Sequence, residues 1–292
     1  MSITALVINF NAGTALDDCV QSLMASSVRP RIVVVDNAST DRSAENLRQL
    51  YGNQPSMEIL SNPANLGFAR AVNAVAKNVK SDFLLIINPD CSIHKKGLEL
   101  LQKAMEADES AGLAAPCVQN SHGKPEKATL RRFPDPWNSL MTMSGLWRFG
   151  RWIPLFEGVP FNPGNLPDAT IHAEAVSGAC MLVRREAFMR LGWMDEGYGL
   201  HCEDLDLMYR LKLSGWHCLF VPAATATHQQ GVSSRSRLMW VHRQKHKGMA
   251  RFYRKFQALD HMPPFRWLVY TGIWAHYLLF LPQVWLQMYK QR

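Results

Sequence analysis

Val33-Val34-Val35-Asp36-Asn37-Ala38-Ser39-Thr40-Asp41 joins a run of branched apolar residues to an acid and a turn. Such a run reads as a strand buried on both faces, and the polar residues after it as its exit loop. Leu84-Leu85-Ile86-Ile87-Asn88-Pro89-Asp90 repeats the arrangement further along. A third acidic cluster, Cys202-Glu203-Asp204-Leu205-Asp206, opens a helical pattern. Acids at the carboxyl ends of buried parallel strands lie where open α/β sheets bind ligands.

Around these anchors the first 115 residues alternate between strand and helix patterns. Ile3–Asn9 reads as a strand, and Leu16, Val20, Leu23 and Met24 form a helical stripe. A strand over 31–35 leads to a helix starting near Asp41, with Ser39 or Thr40 as the fitting cap. A short strand over 57–60, a helix over 67–79, an apolar strand at Phe83–Ile87 and a helix marked by Leu98, Leu101 and Met105 follow. This order predicts a parallel sheet with right-handed crossovers. Residues 116–170 lose the rhythm and read as an insertion with short strands and a small helix over 138–147. A strand or hairpin over 173–183, a helix at Glu203–Leu213, strand pieces over 218–221 and 225–228 and a basic helix over 236–257 complete the reading.

With 292 residues, 47% hydrophobic and 19% charged, the chain can bury a large core and is not disordered. The start lacks a basic n-region and reads as a strand rather than a signal peptide. Six cysteines without a Cys-x-x-Cys pair predict reduced core thiols in a cytosolic chain. The charge is uneven. Residues 1–206 carry 19 basic and 23 acidic side chains, whereas residues 207–292 carry 13 basic and one acidic, a net of +12. That asymmetry points to a polyanion or an anionic surface, the plain alternative being a solvated basic helix.

Each cluster carries a chemical reading beside a structural one. Asp36 can accept the N3–H of uracil or thymine, the structural alternative being that Asp36 or Asp41 simply caps the next helix. Asp90 can hold a divalent cation against diphosphate oxygens, or end a Pro-Asp turn. Because Asn88 occupies the partner position, a second metal ligand is expected, and His228 can supply it. Glu203 and Asp204 are favoured by the helix dipole whatever their role, yet the same field keeps an aspartate ionised, as a general base requires. Asp206 points to another side of the helix. Arg235 and Arg237 can reach phosphate oxygens, and Asn65-Leu66-Gly67-Phe68 can offer amide donors to phosphate or sugar. No Gly-x-x-x-x-Gly-Lys loop, Gly-x-Gly-x-x-Gly or Gly-x-Ser-x-Gly elbow occurs.

In order, Val7-Ile8-Asn9-Phe10-Asn11, Val35-Asp36-Asn37-Ala38-Ser39-Thr40-Asp41, Asn65-Leu66-Gly67-Phe68-Ala69-Arg70, Ile87-Asn88-Pro89-Asp90, Gly178-Ala179-Cys180-Met181, Gly192-Trp193-Met194-Asp195-Glu196, Glu203-Asp204-Leu205-Asp206 and His228-Gln229-Gln230-Gly231 span roughly residues 3–235. The ordered set resembles the family 2 glycosyltransferases, especially the bacterial rhamnosyltransferase-like branch. The resemblance implies a GT-A, Rossmann-like, mostly parallel sheet flanked by helices. Its catalytic domain would cover 1–235, with a nucleotide-sugar half to about 115 and an acceptor half beyond. It implies inverting transfer from a dTDP- or UDP-linked sugar assisted by Mg2+ or Mn2+. Asp204 would be the base, with Glu203 beside it, and Asp90 and His228 would meet the metal. Asn9, Asn11, Asp36, Asn37, Asn65, Gly67, Phe68, Arg70, Asn88 and Arg235 would surround the donor. Trp193, Tyr198 and His201 would meet the acceptor, although Gly197-Tyr198-Gly199-Leu200-His201-Cys202 departs from the two aromatics usual in that branch.

Residues 236–292 lie outside the clear resemblance. Over 267–289 there is no Asp, Glu, Lys or Arg, and Trp267, Tyr270, Trp274, Tyr277, Leu281, Val284 and Met288 recur at helical steps. His276, Pro282, Gln283 and Gln287 argue against a span, and the Trp and Tyr content suits an interface. The expectation is a monotopic tail on anionic lipid at the inner face of the cytoplasmic membrane, with a packed helix or homodimer seam as alternative. Two functions compete: transfer to a saccharide or lipid-linked acceptor of the cell envelope, without nucleic acid as partner, or a non-catalytic protein of the same fold holding a polyanion. The intact set Asp36, Asp90, Asp204 and His228 favours transfer.

Overall fold

A computed structural model of the chain describes residues 1–161, 164, 166–229 and 237–290. Its strands are β1 (Ile3–Asn9), β2 (Arg31–Asp36), β3 (Met57–Ser61), β4 (Phe83–Ile87), β5 (Cys91–Ile93), β6 (Ala111–Gln119), β7 (Leu130–Arg131), β8 (Ile171–Ala173), β9 (Ala175–Val176), β10 (Cys180–Arg184) and β11 (His217–His228). The α-helices are α1 (Ala15–Met24), α2 (Ser43–Tyr51), α3 (Phe68–Ala76), α4 (Gly97–Ala107), α5 (Pro136–Ser144), α6 (Arg185–Arg190), α7 (Glu203–Leu213), α8 (Leu238–Phe256) and α9 (Pro263–Lys290).

The main sheet runs β3-β2-β1-β4-β10-β6-β11-β5, with β8 alongside β11. Side chains alternate between two buried layers, as strand geometry demands. Ala5, Val7, Val34 and Leu85 pack with Leu16, Leu47 and Leu101 of α1, α2 and α4. Leu6, Ile8, Val35 and Leu84 pack with Val72, Phe188 and Met208 of α3, α6 and α7. β1 pairs in parallel with both β2 and β4, so the strand order reverses direction there. The crevice at the carboxyl ends of these strands is the binding position of doubly wound folds.

The structure amends the sequence reading in several places. β6 was not foreseen, because Ala-Gly-Leu-Ala-Ala-Pro is poor in branched residues and carries Pro116. β10 runs antiparallel to β4 and β6, which makes the sheet mixed. The two expected pieces after α7 are one strand with a register shift between Val221 and Thr225. At α2, of the capping residues that the sequence offered, Asp41 takes the Ser43 N–H, at 3.1 Å. All six cysteines are buried and unpaired. No described helix is long and apolar enough to cross a membrane.

Candidate active site

At the head of the crevice, Asn9 and Asn11 pin the loop after β2. Buried Asn9 stands level with Asp36 and donates from Nδ2 to Asp36 Oδ1 at 3.0 Å, Ser39 Oγ at 3.0 Å and Ser43 Oγ at 2.8 Å. Asn11 accepts the Thr40 N–H at 2.7 Å. Both side chains are thereby spent on shaping the loop, and Asp36 is left 8% exposed at the end of β2.

Next to Asp36, Asn37 donates to Asn65 Oδ1 at 3.0 Å and accepts the Leu66 N–H at 3.0 Å. Asn65 also takes the Gly67 N–H. Gly67 has φ +82°, a conformation that favours glycine, and swings the chain into α3 at Phe68. A cavity of about 260 Å³ opens here, lined among others by Asn37, Asn65, Gly67, Phe68, Asn88, Asp90, His201 and His228. Arg237 also lines it, with its guanidinium over the Phe10 and Trp240 rings. Arg70 faces a neighbouring basic cavity instead, 3.5 Å from Glu196. Arg235 lies outside the described residues.

Asp90 and His228 meet at the cavity wall, Nε2 to Oδ1 at 3.1 Å. Buried Glu126, which no sequence signal marked, lies behind them with Oε1 3.2 Å from His228 Nδ1. Burial works against a charged imidazole, but the bonds to Asp90 and Glu126 outweigh it and raise His228 to about 10. The two carboxylates therefore favour a charged imidazole, and a divalent cation at Nε2 would take the place of that proton. The residues fit such an ion as a partial site: Asp90 and His228 would be its protein ligands, Glu126 would orient the imidazole, and diphosphate oxygens would complete it. No cluster of three or more donors among the described residues could hold a metal unaided.

Asp204 stands in the first turn of α7. Its Oδ2 accepts from Arg131 Nη2 of β7 at 2.6 Å. Burial pushes the carboxyl up, but the Arg131 charge and hydrogen bond outweigh it and hold Asp204 below the usual range. Glu203 moves the other way: burial and the neighbouring Asp204 charge raise it. The two acids are therefore driven apart, one ionised and one holding its proton. His201 and Cys202 precede them with φ of 66° and 68°, two adjacent left-handed residues that turn α7's start toward the cavity. Gly178 packs against the carboxylate, where an added Cβ would lie 2.7 Å from Asp204 Oδ2.

Asp206 is fully buried and bonds Arg210, Lys255 and the Tyr198 hydroxyl, so it holds the fold together. Tyr198 is 5% exposed and lies under Arg251, while Trp193 packs edge-on to Phe188. Of the three expected acceptor residues, His201 alone lines the 260 Å³ cavity. Tyr198 lines the neighbouring basic cavity with Arg70, and Trp193 lines neither. Arg131 was also missed by sequence reading, because it sits in an irregular segment beside a second arginine.

Residues 4–192 match the model of glycosyl transferase family 2. The chain belongs to that family. A Mycobacterium tuberculosis N-acetylglucosaminyl-diphospho-decaprenol L-rhamnosyltransferase is 26% identical over 246 residues, covering 80% of this chain and 77% of that protein. Rhamnosyltransferase WbbL of Escherichia coli K12 is 26% identical over 229 residues, covering 74% and 79%. Among solved structures, GalNAc-T7 with UDP, GalNAc and Mn2+ superposes with TM-score 0.64 at 18% identity, over 87% of this chain and 48% of that one. The Pyrobaculum calidifontis mannosyltransferase PcManGT with GDP-Man and Mn2+ gives 0.59 at 18% identity, over 98% and 73%. These likenesses fix the fold as GT-A-like. The family 2 chain is a glycosyltransferase of rhamnosyltransferase-like kinship.

Proposed function

We propose that this glycosyltransferase moves a deoxyhexose such as rhamnose, with inversion, from a pyrimidine nucleoside diphosphate to a lipid-linked saccharide. The observation that carries this reading is Asp204, held below the usual carboxylate range by Arg131 in the first turn of α7, three residues after His201, which lines the crevice with Asp90. The acceptor hydroxyl oxygen forms the new bond to the anomeric carbon as the bond to the diphosphate breaks, and its proton passes to Asp204. One displacement on the face opposite the leaving group inverts the centre, so one base suffices. A bound Mg2+ or Mn2+ would neutralise charge on the departing diphosphate. Asp36 would accept the pyrimidine N3–H, and Arg237 would meet phosphate oxygens. The rhamnosyltransferase relatives support the sugar, and the decaprenol-linked acceptor of one supports a lipid-linked partner.

The basic α8 and the aromatic α9 support work at an anionic membrane surface. Trp267, Leu268, Leu278, Leu279, Trp285 and Tyr289 of α9 are all more than half exposed. The test is transfer of labelled sugar from dTDP-rhamnose, against UDP- and GDP-sugars, to a lipid-diphosphate-linked N-acetylglucosamine with Mn2+. Transfer from the thymidine donor supports the assignment. Transfer from a guanosine donor alone would overturn the role given to Asp36.

A further inference from the structure

A separate cavity, of about 450 Å³, lies between α5, α8 and α9. Its size falls within the ~300–1,000 Å³ of small-molecule sites. Its walls are almost wholly apolar, with Leu140 and Met143 on α5, Met249 on α8 and Leu268 on α9. Leu140 and Leu268 remain 51% and 65% exposed, so the groove is open along its length.

Both ends of the groove bear on what fills it. The inner end reaches Cys202, two residues before Asp204, and Pro134, three residues after Arg131. A chain lying there would end at the start of α7, whose first turn carries Asp204. The outer wall is α9, whose exposed Trp267, Trp274, Leu278 and Leu279 continue the apolar surface outward. Aromatic and aliphatic side chains so arranged suit the boundary of a lipid layer.

We propose that this groove holds the first isoprene units of a lipid-diphosphate-linked acceptor, entering past α9 and presenting its sugar to Asp204. The inference rests on the transfer reading above and adds where the lipid lies. A polar acceptor of the same sugar would then bind weakly, because the apolar chain supplies the burial.

Gly272 allows a clean test. It lines the groove, and a Cβ added there meets nothing within 4 Å. Gly272→Trp should therefore fill the groove and leave the fold intact. Leu140→Asp, on the opposite wall, makes it polar instead. The probe is a farnesyl diphosphate carrying a benzophenone at its ω end, photolysed with the full chain and mapped by mass spectrometry. Labels on α5 and α9 around Met143 and Leu268, reduced at least about tenfold by either variant, are expected; that is less than the worth of two buried methylene groups. Inorganic diphosphate should not compete the label away, and dTDP binding should be unchanged in both variants. Labels scattered elsewhere, or indifferent to both substitutions, would overturn the proposal. So would a concentration-dependent doubling of mass that Gly272→Trp abolishes, which would make the groove a seam between copies. Labelling in the groove by a chain that transfers no sugar would keep the lipid site and remove the transfer reading. Transfer with labels outside the groove would do the reverse.

Discussion

Arg131 Nη2 donates to Asp204 Oδ2 at 2.6 Å, joining β7 of the irregular middle segment to the first turn of α7. This contact decides the charge of the proposed base. Without it, burial beside Glu203 would drive the Asp204 carboxyl toward its neutral form.

Arg131→Leu should therefore raise the Asp204 pKa and move the acid limb of kcat/KM to higher pH. Each pKa unit corresponds to about tenfold in the ionised fraction below the limb. Arg131→Lys keeps the charge but loses the planar fork, and should shift the limb less. The pH–rate profile, with donor affinity measured in parallel, is the readout. An unmoved limb in Arg131→Leu would separate Arg131 from the base.

Gly178→Ala places a methyl 2.7 Å from Asp204 Oδ2, closer than carbon and oxygen can approach. The carboxylate must shift, and turnover should fall by about 10²-fold, as small misplacements of reacting groups do. Gly178 is not among the residues lining the donor crevice, so nucleotide affinity should hold. Loss of both together would mean that β10's entry loop, not the base, had moved.

Asp90→Ala and His228→Ala should abolish the enhancement of nucleoside diphosphate binding by Mn2+. Glu126→Gln should weaken it by about 10–100-fold, the usual effect of removing a carboxylate that orients a metal-bound histidine. Calorimetry with and without Mn2+ checks this. Equal Mn2+ dependence in all three variants and the parent would remove the cation from this corner.

The tail carries its own pH dependence. His246 Nε2 lies 2.9 Å from His276 Nδ1, and His242 bonds the Tyr277 carbonyl, so α8 and α9 meet through imidazoles. Burial, then the neighbouring His246, Lys245 and His242 charges, lower His276 to about 4. An unfolded histidine titrates near ~6.5. The folded value is the lower one, so this contribution is present above about pH 6.5 and is lost as pH falls from there toward 4. Hydrogen exchange of α9 should be faster at pH 5 than at pH 7.5, and His276→Gln should remove much of the difference. Identical protection at both pH values would contradict it.

The sequence reading located the carboxyl ends of β2 and β4 well, because buried parallel strands announce themselves by continuous apolar runs. Asp36, Asn88 and Asp90 stand at such ends. The rest of the candidate site was harder to read. Glu126 and Arg131 come from segments whose shape is set by packing rather than by periodicity, and neither carries a local pattern. β6 escaped because Ala and Gly leave room for the bulky residues of α7 and Trp216 to pack over it, as Gly112 against Leu211 shows. Trp193 stood in a matching stretch and Tyr198 in the loop that departs from it, yet a large aromatic in a loop anchors that loop as readily as it binds a sugar. The basic tail was legible as a helix pair, but the groove between them depends on α5, and no sequence feature joins the three.

The most direct measurement is the single-turnover rate and donor affinity of Asp204→Asn, beside the parent, with dTDP-rhamnose, Mn2+ and a lipid-diphosphate-linked acceptor. The amide keeps the shape and loses the basic lone pair. The rate should fall by about 10²–10⁴-fold while donor affinity stays within error. Turnover close to that of the parent would contradict Asp204 as the base and, with it, the account of how Arg131 prepares the site.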